Sequence, residues 1–125
     1  MNEYSYQTLN VYKDAKALVV EVYRLLKQYP VEERYALWDQ LRRSVISVPS
    51  NVAEGLGRYS AKEQVHFIEI AYGSLREVDC QLDIAKDLGY ISDEELQNVE
   101  KQLEKVAALI AGMRNQRSAS LNAKP

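Results

Sequence analysis

Residues 41–63 read LRRSVISVPSNVAEGLGRYSAKE, and the phase of their apolar positions decides the fold. Leu41, Val45, Val48, Val52 and Leu56 recur at intervals of four, three, four and four, the spacing of one face of an α-helix. Pro49 falls inside this run. It removes the hydrogen bond to the carbonyl of Val45, at about 3 kcal/mol in an ordinary helix interior. Because the period stays in phase across the proline, the stretch predicts a helix that continues with a kink at Pro49, not one that ends near Val48. Gly55 and Gly57 then end it by Arg58 or Tyr59. Ser60 and Glu63 have the spacing of a capping box, which opens the next helix.

Upstream, Val11, Ala15, Leu18, Val22, Leu25 and Tyr29 form one apolar row, and Tyr12, Val19, Tyr23 and Leu26 form a second beside it. Two adjacent rows make a face wider than a two-stranded coiled-coil seam, so this helix packs in a bundle. It is expected over about residues 8–29 and stops at Pro30, because the residue before proline avoids the α region. The second helix is expected over 31–58. Downstream, Val65, Ile68, Tyr72, Leu75, Val78, Leu82 and Ala85 mark a third helix over about 61–88, with Gly89 as its stop. Gly73 lies in its middle, where a close helix approach is expected to compensate the lost propensity. Ser92 and Glu95 repeat the capping box, and Leu96, Val99, Leu103, Val106, Ile110 and Met113 give a fourth helix over about 93–114. Residues 115–125 lose the pattern and read as a flexible basic tail.

Four amphipathic helices joined by short connections imply one all-α domain over residues 1–125, an up-down-up-down antiparallel four-helix bundle. Composition agrees, with 46% hydrophobic and 27% charged residues in 125. The net charge of −2 argues against a protein that binds nucleic acid by bulk charge and leaves only a local patch. Cys80 is the only cysteine, so no intramolecular disulfide forms, in keeping with a reducing cytoplasm. The first ten residues lack a basic run followed by an apolar block, and no signal peptide or membrane span is expected.

Catalytic chemistry finds little support. His66 is the only histidine, and Glu63-Gln-Val-His66 matches the Glu-x-x-His element of di-metal bundles once, where such a centre needs it twice. A surface or interface histidine is the expectation, with no metal and no cofactor. Cys80 has Glu77, Asp79 and Asp83 around it, which disfavours a thiolate, so a buried or unreactive thiol is expected. Gly55-Leu-Gly57 follows a helix and not a strand, so it is no dinucleotide fingerprint. The protein is read as a non-enzyme.

One polar stripe stands out. At 100° per residue, Arg43, Ser47, Asn51, Glu54 and Arg58 share the side of the second helix opposite Val45 and Val52. A solvated face with an ordinary Glu54–Arg58 pair is one reading, worth a few tenths of a kcal/mol. Contact with another molecule is the other. Residues 34–62 carry five basic and two acidic side chains, whereas acids dominate residues 79–104. Such polarity suits head-to-tail association of copies. It also suits phosphate contact, for which Arg42, Arg43, Arg58 and Lys62 are the residues to test.

The same residues carry a family resemblance. Leu41-Arg42-Arg43-Ser44, the run from Ser47 to Gly55 with its Asn-Val-Ala-Glu-Gly block, Gly57-Arg58, and Ala71-Tyr-Gly-Ser-Leu-Arg-Glu77 resemble the small four-helix bundle proteins encoded in intervening sequences of bacterial large-subunit ribosomal RNA genes. The accessory variability determinant proteins of diversity-generating retroelements look similar in fold. The resemblance implies a bundle protomer in a ring-shaped homopentamer of unsettled biochemical role. The retroelement relatives bind nucleic acid and assist a reverse transcriptase, so RNA, DNA or a reverse transcriptase are the further partners it implies. On this reading Arg42, Arg43, Asn51, Glu54, Arg58 and Lys62 serve contacts between molecules, with a second copy or with nucleic acid.

Overall fold

The computed structural model describes residues 9–28 and 35–122. They form four helices: α1 Asn10–Leu26, α2 Tyr35–Leu56, α3 Ala61–Asp87 and α4 Asp93–Asn122, with no strand among the described residues. Each helix touches two others. α2 packs on α1 and α3, and α4 packs on α3 and α1, while the diagonal pairs do not meet. The helices are therefore the four corners of a square taken in chain order.

Cross-helix pairs give the directions. Ser44 bonds Glu77 and Ser47 bonds Ser74, while Gly55 lies against Phe67 and Ile68, so α3 descends as α2 ascends. Lys86 meets Asp93 at one end of the α3–α4 pair and Gln64 meets Arg117 at the other. Asp14 pairs with Lys105 at 3.6 Å, and Gln28 lies beside Glu95. Chain neighbours are antiparallel throughout, which is the up-down-up-down bundle.

The apolar rows of the sequence become the core. Leu18, Val22, Trp38, Leu41, Val45, Val48, Val52, Ile68, Val78, Val99 and Ile110 are all sealed from solvent. Trp38 closes one end, its ring edge-on to Tyr90 with centroids 5.6 Å apart. α2 runs unbroken through Pro49, which is buried, so the phase argument holds and helix termination near Val48 does not occur. In the same turn Asn51 donates its side-chain amide to the Ser47 carbonyl at 2.9 Å.

Local signals set the ends. At Ser92 the capping box is complete: Glu95 N–H donates to the Ser92 hydroxyl at 3.0 Å, and Ser92 N–H donates to the Glu95 carboxylate at 2.9 Å. At Ser60 only the first half forms, Glu63 N–H to the hydroxyl at 3.1 Å. Gly89 sits at φ 78°, and the amides of Gly89 and Tyr90 turn back to Lys86 and Ala85. This is a Schellman closure, which needs glycine's left-handed backbone.

Three expectations are corrected. The fourth helix does not stop at Arg114, and residues 115–122 are the last two turns of α4, not a flexible tail. The reason is visible in the spacing: Met113, Arg117 and Leu121 continue the row of Ile110 and stay partly covered against the bundle end. Residues 123–125 lie outside the described residues, as do 29–34, where the expected end of the first helix and start of the second fall. The close helix approach is at Gly55 and not Gly73. A methyl group at Gly55 would stand 3.2 Å from the Gln64 carbonyl and 3.2 Å from Phe67 Cβ, whereas at Gly73 it would meet nothing within 4 Å. Cys80 is exposed, which removes the buried alternative expected for its thiol and leaves the unreactive one.

Candidate interaction surface

The stripe on α2 divides into an inner and an outer part. Ser47 and Ser74 hydroxyls meet at 2.8 Å across the α2–α3 seam, and the Asn51 amide donates to Ser47 Oγ at 2.8 Å. One turn along, the Ser44 hydroxyl donates to Glu77 at 3.2 Å. Ser47 and Asn51 are thus half-buried and bonded within the protomer. The expectation that protomer packing leaves the whole stripe unexplained fails for these two. Helical projection places them away from Val45, yet Ser74 of α3 packs on Ser47 and half-covers this edge of α2.

The outer part stays open. Arg43 is exposed and pairs with Asp39 at 3.3 Å, one turn back. Glu54 and Arg58 form the expected ion pair, and the Arg58 guanidinium also lies 4.7 Å from the centre of the Phe67 ring. Arg42 is partly covered and Lys62 exposed, and neither has an acidic partner among the described residues. The structure therefore brings Arg58 and Lys62 together at the α2–α3 connection. Arg42 and Arg43 lie several turns away, so the six residues do not form one patch.

A residue absent from the sequence reading joins the first group. Arg117, near the end of α4, donates Nε–H to Gln64 Oε1 at 3.0 Å, and the Gln64 amide donates to the Arg58 carbonyl at 2.8 Å. Gln64 thereby ties the two arginine-bearing segments together. Burial lowers the Arg117 pKa, and no carboxylate pairs with it among the described residues. The signal that finds it is the spacing from Ile110 through Met113 to Leu121.

Opposite charge collects on the α3–α4 flank. Asp79, Glu100 and Glu104 lie close together, with Asp83 beside them. The Glu100 carboxyl is held above its ordinary pKa, first by desolvation and then by repulsion from Asp79, Asp83 and Glu104. On the opposite flank of the bundle, Val19, Val20, Tyr23 and Lys27 line a shallow groove of α1. Ile46 of α2 lies 200° round its helix from Ser44, hence on the outer side turned away from α3. Val20, Ile46 and Tyr35 are all exposed. His66 is exposed with its ring edge-on to Phe67, and no metal-binding group of three side chains occurs among the described residues.

Comparison with known families follows the same residues. The model of the 23S rRNA-intervening sequence protein matches residues 7–112. The chain belongs to that family. The match takes in α1, α2 and α3 whole, the charged flank of α4, and every residue singled out on α2. It stops short of Arg117, so the arginine held by Gln64 is outside the matched segment. No curated protein matches the chain. No described helix is long and apolar enough to cross a membrane.

Proposed function

We propose that the protein is a non-enzymatic, cytoplasmic interaction protein that works as a homo-oligomer, in the ring of five that its family resemblance implies. The observation that carries this reading is the pairing of opposite flanks. The α1–α2 side presents Lys16, Lys27 and Arg42, which have no acidic partner among the described residues, and Val20 and Ile46 are exposed. The α3–α4 side presents Asp79, Glu100 and Glu104. In a square bundle these two grooves are on opposite sides. A contact between different faces of successive copies is head-to-tail and makes a ring when the rotation between copies sums to a full turn, and here the faces are of opposite charge. Multi-angle light scattering at micromolar concentration tests it. The expected mass is a multiple of the 14.3 kDa protomer, five for the ring, and a single-chain mass at all concentrations refutes the reading.

A second reading has its own support. Arg58, Lys62 and Arg117 gather round Gln64 where α2 ends, α3 begins and α4 finishes. Arg58 is paired with Glu54, but Lys62 and Arg117 have no acidic partner among the described residues, and such cations suit phosphates of RNA or DNA. Binding is then expected to weaken steeply with salt and to fall in Arg58→Glu and Arg117→Glu. Equal binding by these variants, measured by fluorescence anisotropy with a labelled oligonucleotide, removes this site.

A further inference from the structure

Four charged residues of α3 stand on one outward ridge at seven-residue intervals: Lys62, Glu69, Arg76 and Asp83. Their signs alternate. All four are exposed, and none is in an ion pair within the protomer among the described residues. Beside them run His66, Gly73 and Cys80, also seven apart and also exposed. Ile70 and Ile84 flank that row, 39% and 44% exposed. Gly73 is close to the midpoint of the 27-residue helix. In its open setting it costs about 1 kcal/mol of helix propensity that the protomer does not compensate.

We propose that this ridge is a two-fold contact between two copies of the chain, with the two α3 helices crossing antiparallel at Gly73. The inference rests on the self-association reading above and specifies a contact beyond ring closure. Turning a second α3 about Gly73 brings Lys62 opposite Asp83 and Glu69 opposite Arg76. The two-fold axis repeats both pairs, so each charge on one ridge meets its opposite on the other. A parallel alignment would set each residue against itself and repel at every position. The charge order thus selects the antiparallel arrangement, and the missing side chain at Gly73 lets the two backbones approach where the helices cross. Ile70 loses solvent beside that point. Because a two-fold contact uses the same face on both copies, it joins two protomers and does not itself close a five-membered ring; Arg76, Cys80 and Asp83 also line the acidic α3–α4 groove, so a copy seated on the ridge competes with the ring contact there.

In this geometry His66 faces Cys80 of the other copy, while the two Cys80 residues stand about 21 Å apart along the crossing helices. His66→Cys in the otherwise native chain, treated with oxidised glutathione, is therefore expected to form a disulfide-linked dimer on non-reducing gels. The native chain stays monomeric there, and so does the His66→Cys/Cys80→Ser variant. An internal bridge between positions 66 and 80 is ruled out by the same helical distance. Arg76→Glu sets like charges together twice and is expected to weaken association about tenfold in sedimentation velocity, whereas Glu69→Arg/Arg76→Glu restores it. Circular dichroism checks that each variant is folded. An oligomer by light scattering that neither cross-links through His66→Cys nor responds to Arg76→Glu overturns the two-fold contact and leaves the self-association reading standing. A native chain that is monomeric at every concentration overturns both.

Discussion

Gly55 and Gly73 both sit inside helices, and the same substitution is expected to have opposite effects at the two. Alanine gains about 1 kcal/mol of helix propensity over glycine in a helix interior. At Gly73 nothing opposes that gain, because the new methyl group meets no atom within 4 Å. Gly73→Ala is expected to stabilise the isolated protomer by about 1 kcal/mol. At Gly55 the methyl group arrives 3.2 Å from the Gln64 carbonyl and from Phe67 Cβ, and 3.5 Å from Ile68 Cγ1. The first is backbone and the second is the root of a side chain, so α2 and α3 have to part. Overpacking of this kind costs about 1–3 kcal/mol. It offsets the propensity gain or exceeds it, leaving Gly55→Ala about 0–2 kcal/mol destabilised. The two variants should thus differ by about 1–3 kcal/mol, and Gly55→Val should be worse than either. With about 2.1 cal/mol/K per residue of unfolding entropy, 1 kcal/mol corresponds to about 4 °C in Tm for a chain of this length. Urea titrations followed by circular dichroism measure the difference directly, at concentrations low enough that association does not contribute. If Gly55→Ala proves as stable as Gly73→Ala, the tight α2–α3 crossing is not where the coordinates place it.

Further outcomes follow from the caps, core and charged flank. Ser92→Ala removes the hydroxyl that holds the first turn of α4 and is expected to cost about 1 kcal/mol in a chemical melt. Trp38→Ala, at a site with no solvent exposure, is expected to cost about 3–5 kcal/mol and to broaden or abolish the cooperative unfolding transition. Ser74→Ala leaves Ser47 and Asn51 with only each other and is expected to cost about 1 kcal/mol, read by the same titration. The Glu100 carboxyl has a raised folded-state pKa, so the folded protein holds that proton more tightly than the unfolded chain. Its effect therefore destabilises at neutral pH and is relieved as pH falls through the raised value. Glu100→Gln is expected to raise Tm at pH 7 more than at pH 4.5, and an equal change at both pH values contradicts the assignment.

Much of this fold is written locally. The heptad-like rows, the complete box at Ser92 and the left-handed Gly89 each act within a turn or two, so neighbours in sequence suffice to read them. Pro49 is an instructive case: the phase of Val45, Val48 and Val52 outweighs a strong local breaker, because burying that row is worth more than one backbone hydrogen bond. What was not legible depends on distance through space. Ser47 and Asn51 project away from the core row, and only the packing of α3 on α2 brings Ser74 onto Ser47. Gly55 and Gly73 look alike in sequence, yet one meets Phe67 and the other meets solvent. Residues 115–122 read as patternless because polar residues intervene, although Met113, Arg117 and Leu121 continue the row. The candidate site suffered for the same reason, since Gln64 links Arg58 to a residue 59 positions away in the chain.

The Ser47–Ser74 and Ser44–Glu77 hydrogen bonds between α2 and α3 have a mechanical consequence. Sliding one helix along the other by a single turn, about 5.4 Å, would break both the Ser47–Ser74 and the Ser44–Glu77 hydrogen bonds. Greasy surfaces tolerate such slippage, but spaced hydrogen bonds behave like teeth and admit one setting. α2 and α3 therefore move as a single graduated bar. Any partner that grips both helices measures the spacing between them against a fixed scale, so affinity for that partner is tuned by its own shape and not by adjustment within the bundle.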